Sequence, residues 1–111
     1  MKIVTVETLQ GCNYEELGVV TGSTIQSKNF VSDFGQGLKS IVGGELHSYT
    51  DMMEKARNKA TQRMVDAAVR LGADAVIGVR YTTSAIMAQA AEVLAYGTAI
   101  KYKNKKQKRY D

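Results

Sequence analysis

Residues 48–71 carry the most regular pattern in this chain, with small or flexible apolar side chains recurring at helical spacing. The repeated positions are Tyr49, Met52, Met53, Ala56, Ala60, Met64, Ala67, Ala68 and Leu71. Ser48 and Asp51 have the spacing of an N-terminal capping box, and Gly72 stands where a left-handed C-terminal cap belongs. We therefore predict one long helix over about 48–71, and we interpret its methionine and alanine face as core rather than as a binding groove.

Length and composition favour one small globular domain. The chain has 111 residues, 44% of them apolar and 23% charged, which excludes disordered, collagen-like and disulfide-rich classes. No apolar run approaches the roughly 20 residues that span a bilayer, and Glu7 interrupts the segment where a signal peptide would stay apolar. Because the single cysteine also suits a reducing compartment, we predict a cytoplasmic protein.

Four segments have the β-branched content and alternation of strands: residues 3–6, 14–25, 73–83 and 93–102. Gly18 and Gly22 in the second segment predict a bulge or a close approach by another backbone. Residues 84–91 are compatible with either a helical turn or a hairpin connection. A second, short helix is predicted over about 29–42, where Phe30, Phe34 and Leu38 recur at helical spacing.

The last strand, 93–102, has no polar face, unlike an antiparallel strand with one solvated side. Leu94, Tyr96, Thr98, Ile100 and Tyr102 form one face, and Val93, Ala95, Gly97 and Ala99 form the other. One face can pack on the long helix. We expect the small-residue face to be buried by a further element, and a partner subunit is the simplest candidate.

The excess of positive over negative charge lies at the C-terminus. The net charge of the chain is +4, but residues 1–100 hold nine basic and ten acidic groups. We divide the chain into one domain over 1–102 and a basic tail over 103–111, which is predicted to be disordered. The candidate nucleic-acid contacts in the tail are Lys103, Lys105, Lys106, Lys108 and Arg109. The alternative, which we favour, is a solvated terminus without a nucleic-acid partner.

The sequence contains no recognisable catalytic or metal-binding spacing. Cys12 and His47 are the only cysteine and histidine, too few for a metal shell of three or four ligands in one subunit. They remain weak candidates for a site between subunits. A Cys-His catalytic pair lacks an identifiable third group, so we predict no enzyme and no cofactor. Gly43 and Gly44 precede the long helix as an anion-binding loop would, but Glu45 beside them favours a plain loop.

Short motifs spread over residues 5–101 together resemble one family. They are residues 18–22, Asn29, Asp33, 41–44, Ser48, Tyr49, Ala56, Arg57, Ala60, 97–100 and, most specifically, the Gly-Ala-Asp-Ala-Val-Ile-Gly-Val segment at 72–79. The sequence is similar to the YbjQ-like family of small bacterial and archaeal proteins, often labelled as heavy-metal-binding. It departs from the pattern at Glu45, where arginine is common, and at Thr50, where glutamate is usual.

The resemblance implies an α+β fold in which an antiparallel sheet packs on the long helix, assembled as a ring-shaped homopentamer. It implies no established reaction. The expected function is that of an oligomeric, non-enzymatic domain that binds a small ligand or a heavy metal as a ring. The alternative is a nucleic-acid-associated protein that uses the basic tails. No membrane partner is expected.

Overall fold

The structure, a computed structural model, describes residues 1–26, 45–87 and 90–103. Its elements are β1 (Lys2–Ile3), β2 (Tyr14–Gln26), α1 (Glu45–Arg70), β3 (Ala75–Met87) and β4 (Ala90–Tyr102). The strands form a four-stranded sheet in the order β1-β3-β4-β2. Strand β4 is antiparallel to both β3 and β2, whereas β1 is parallel to β3. The sheet is therefore mixed, which corrects the expectation of an antiparallel sheet.

Helix α1 confirms the predicted long helix and corrects its start. It begins at Glu45, three residues before the predicted position, so Ser48 lies inside the helix and is not its N-cap. The C-terminal end follows the prediction. Gly72 has a positive φ of 80°, and the N–H groups of Gly72 and Ala73 donate to the carbonyls of Val69 and Ala68 at 2.9 and 3.0 Å. This is the bonding pattern of a Schellman cap.

The apolar face of α1 packs on one face of the sheet and forms the main core. Ala60, Met64 and Ala68 are fully buried, which confirms that the centre of the predicted face is core, whereas Leu71 at its end is exposed. They contact a set of small and β-branched sheet residues: Val20, Val76, Val79, Val93, Ala95 and Ala99. Gly22 lies where β2 passes under the helix, and a Cβ there would overlap backbone atoms of Ala60 and Met64. The predicted close approach at Gly22 is thus confirmed, because only glycine leaves room for the helix.

The register of β2 shifts between Glu16 and Gly18, which confirms the predicted bulge. Beyond the bulge, Val20 points towards α1 and is 4% exposed, whereas Val19 points away and is 73% exposed. Ile25 further along the strand is 59% exposed. The bulge therefore sets which residues of β2 enter the core.

The small-residue face of β4 is the face that packs on α1, and the expectation that it needs a partner subunit was wrong. Ala95 and Ala99 are fully buried in the cluster beneath the helix. Small side chains are required there because helix and sheet approach closely. The opposite face, with the larger side chains, is the one left partly open, and Tyr96 on it is 37% exposed.

A second, smaller core lies on the sheet face opposite α1. It contains Ala75, Ile77, Ile100 and Tyr102, covered by the N-terminal segment through Val4, Leu9, Cys12 and Tyr14. The predicted strand at 3–6 is shorter than expected, since β1 covers only Lys2–Ile3. Beyond β1 the chain continues alongside β3. The backbone N–H of Val79 donates to the Val4 carbonyl at 3.0 Å, and the N–H of Gly78 donates to the Val6 carbonyl at 2.7 Å.

Strands β3 and β4 extend beyond the predicted bounds and pair as far as Met87 and Ala90. Residues 84–87 and 90–91 therefore belong to two paired strands, which favours the hairpin connection over the helical turn. The predicted short helix at 29–42 lies outside the described residues. No helix in the part of the chain that the structure describes is long and apolar enough to cross a membrane.

Candidate functional site

The structure places the two weak metal-ligand candidates on different sides of the sheet. Cys12 is a half-buried free thiol in the N-terminal segment, on the face opposite α1. His47 lies in the first turn of α1, which packs on the other face. Within one subunit, the two positions therefore belong to different layers of the fold.

The described residues of one chain do not fit a heavy-metal ion. Among them, no group of three or more histidine, cysteine or acidic residues is close enough to hold one. The cluster that Cys12 joins is otherwise built from aliphatic residues and tyrosines. The absence of a metal site within one subunit stays a prediction, because it also concerns His47, whose side chain lies outside the described part.

Strands β2 and β3 each have, among the described residues, an edge without a neighbouring strand at the same end of the sheet. Strand β2 is the last strand on one side, and β3 extends well past the residues that pair with β1 on the other. Thr21 of β2 and Arg80 of β3 pair with the same residue of β4, and so do Ser23 and Thr82. The members of each pair therefore lie at the same height in the sheet. We call the outer edges of residues 19–26 and 81–87 the upper edges. No strand within the described residues pairs with either of them.

A groove lies between α1 and the upper edge of β3, with a volume of about 310 Å³. We call it the β3 groove. It is lined by Met53, Arg57, Tyr81, Thr82, Thr83 and Val93. The Tyr81 hydroxyl lies 2.8 Å from the Thr61 hydroxyl, which itself donates to the Arg57 carbonyl at 2.7 Å. This contact ties the exposed part of β3 to the helix.

A second depression, the β2 cleft, lies between α1 and the upper edge of β2, with a volume of about 330 Å³. It is lined by Thr21, Gly22, Ser23, Arg63, Asp66 and Arg70. The Arg63 guanidinium donates to the Ser23 carbonyl at 2.5 Å, and the Gln62 amide donates to the Asp66 carboxylate at 2.9 Å. The cleft is therefore polar and contains two guanidinium groups and one carboxylate.

Both depressions offer groups suited to binding: guanidinium groups and hydroxyls, with an apolar wall in the β3 groove. Sequence reasoning missed them. The arginines of α1 have the spacing of an ordinary solvated helix face, and only the fold shows that Arg57 lies over one sheet edge and Arg63 over the other. The signal available in the sequence was the clustering of arginines on one predicted helix.

The most family-specific segment, residues 72–79, is structural. Gly72 caps α1, and the Asp74 carboxylate accepts the backbone N–H of Tyr102 at 2.8 Å. The Asp74 N–H in turn donates to the Ile100 carbonyl at 2.8 Å, and Gly78 bonds the N-terminal segment. The segment thus joins the helix, β3, β4 and the N-terminus, which explains its residue types without a ligand.

Of the candidate nucleic-acid contacts, only Lys103 is described. Its side chain is exposed, and its backbone N–H donates to the Asn13 carbonyl at 3.0 Å. Lys105, Lys106, Lys108 and Arg109 lie outside the described residues. Nucleic-acid binding by the tail stays a prediction.

Comparison with known proteins identifies the family to which this two-layer α+β chain belongs. The model of a family described as "Putative heavy-metal-binding" matches residues 1–103. A UPF0145 protein of Clostridium novyi is 56% identical over 101 residues, covering 91% of this chain and 98% of that protein. One from Methanosarcina acetivorans is 52% identical over 106 residues, covering 95% and 100%. The chain belongs to the YbjQ-like family of UPF0145 proteins, as its motifs predicted.

A solved structure supports the fold alone. It is the crystal structure of a protein of unknown function from Pediococcus pentosaceus, with a TM-score of 0.63 and 21% identity. The match covers 92% of this chain and 97% of that one. The architecture is therefore shared over nearly the whole length.

Proposed function

We propose that this chain is a non-catalytic subunit of a homopentameric ring that binds a small ligand where subunits meet. The observation that carries the proposal is the upper edge of β2. Val19 and Ile25 are 73% and 59% exposed on an edge strand, and residues 17–26 contain neither a charge nor a proline. Proteins protect free edges with those devices, so an unprotected apolar edge favours pairing with another chain.

The upper edge of β3 is a matching partner for the upper edge of β2. Residues 81–87 also lack charge and proline, and they lie level with the exposed part of β2. Strands β2 and β3 run in the same direction, since both are antiparallel to β4. A neighbouring subunit rotated about an axis along the strands would bring its β2 beside this β3. Such head-to-tail contacts close into a ring.

The number of subunits and the hypothesis of a metal on the ring axis rest on the family. Five subunits are what the family resemblance implies, and heavy-metal binding is the family's description. One Cys12 in each subunit is a single soft ligand, which a ring would multiply around its axis. A bound metal would therefore be shared and present at well below one ion per chain.

Light scattering and native mass spectrometry test the ring. We expect a species of five times the 12.1 kDa chain mass. Val19→Lys and Ile25→Lys place a charge on the upper edge of β2 and should shift the protein to monomers. Val69→Lys is the matched control, because Val69 is 58% exposed but lies on α1. A wild-type monomer at micromolar concentration would overturn the proposal.

A further inference from the structure

The β3 groove and the β2 cleft lie on the same side of the sheet, beneath opposite flanks of α1. They also lie at the same level, since Ser23 and Thr82 both pair with Leu94. If the upper edges of neighbouring subunits join as in the proposed ring, the groove of one subunit opens onto the cleft of the next. The two depressions then become one cavity at each seam.

The charge of this joint cavity is positive. The β3 groove contributes Arg57, and the β2 cleft contributes Arg63 and Arg70 against the single carboxylate of Asp66. Asp66 already accepts a hydrogen bond from Gln62. No described residue forms an ion pair or a hydrogen bond with the guanidinium of Arg57 or Arg70. The Arg63 guanidinium uses one of its N–H donors on the Ser23 carbonyl. All three groups therefore keep donors for an anionic ligand.

The remaining lining restricts the ligand further. The Thr61 hydroxyl uses its hydrogen on the Arg57 carbonyl, so the Tyr81 hydroxyl donates to Thr61. The Tyr81 oxygen keeps lone pairs that can accept a hydrogen bond. Met53 and the ring of Tyr81 itself supply the accessible apolar surface, since Val93 behind them is fully buried. A ligand with both a charged group and a short apolar body would contact all of these features.

We infer that each seam of the ring binds a small organic anion, with its phosphate or carboxylate group on Arg57 of one subunit and Arg63 of the next and its apolar body against Met53 and the ring of Tyr81. This inference rests on the proposed ring and gives its ligand class. It places an anion at the seam, because the three guanidinium groups there repel a metal cation.

Isothermal titration calorimetry with phenyl phosphate tests the site, with benzyl alcohol and inorganic phosphate as separate arms. We expect phenyl phosphate to bind more tightly than either of the other probes. Arg57→Gln and Arg63→Gln should each weaken its binding by roughly tenfold or more, since each removes a charge-assisted contact. Lys55→Gln is the control, because Lys55 is an exposed cation of the same helix that lines neither depression. Light scattering on every variant checks that assembly is unchanged.

The outcomes separate this inference from the ring itself. An assembled protein that binds none of the probes, or binds phenyl phosphate equally well in all three variants, overturns the anion site and leaves the ring standing. The Val19→Lys monomer should not bind, and equal binding by it would show that the seam is not the site. A monomeric wild-type protein overturns both proposals.

Discussion

At Gly22 the missing side chain determines how closely helix and sheet can pack. The backbone of α1 at Ala60 and Met64 occupies the place where a Cβ would stand. The fully buried alanines of the helix and of β4 have the same cause. The contact between α1 and the sheet is therefore close, and small residues are needed where the two backbones meet.

Gly22→Ala should destabilise the protein. The added methyl group forces the helix away from β2, and overpacking of this kind costs about 1–3 kcal/mol. Ser23→Ala is the matched control, because Ser23 is the next residue on β2 and its side chain points away from α1. Urea unfolding of both variants measures the difference. Equal midpoints for the two variants would show that the helix can shift without loss of packing.

Among the elements, α1 shows how much one local signal predicts. Its long periodic face and its terminal glycine predicted the helix and placed its C-terminal end within one residue of Arg70, because both signals depend on neighbours in sequence. Its first residue was missed, since Ser48 has the residue type of a cap while the helix continues back to Glu45. A cap motif predicts a start only where the preceding residues do not themselves become helical.

Gly72→Ala tests the C-terminal cap of α1. The positive φ of 80° at this position is strained for alanine, and the left-handed conformation costs a residue with a Cβ about 1–2 kcal/mol. Gly72→Asn should lose less, because asparagine visits this conformation more readily. Thermal unfolding should therefore rank wild type first, asparagine second and alanine third. A different order would mean that the cap contributes little to stability.

The strands were predicted less completely, for a physical reason. Alternation divides β4 into two faces, but both are apolar, so the pattern does not say which one meets the helix. That choice depends on the close approach of α1, which is a long-range contact. The direction of β1 likewise depends on its pairing with β3, distant in sequence. The two depressions were missed because each combines a helix flank with a strand edge that only the fold brings together.

At the scale of the whole molecule, the charge distribution separates a nearly neutral body from a basic end. Residues 1–100 carry nine basic and ten acidic groups, so the body as a whole does not attract a polyanion. In the proposed ring, five tails would act together on one nucleic acid. Weak contacts from each tail would then add up through multivalency.

Removal of residues 104–111 tests the tail, and it leaves Lys103 and its hydrogen bond to Asn13 in place. If the tail binds nucleic acid, the intact protein should bind duplex DNA with an affinity that falls steeply with salt, by a slope of about −0.9 in log units per phosphate contacted. The truncated protein should lose that binding and keep its melting temperature. A full-length variant with glutamine at Lys105, Lys106, Lys108 and Arg109 distinguishes the loss of the tail's charge from the loss of its residues. Equal binding by the truncated protein would exclude the tail, and no binding by any form would identify it as a solvated terminus.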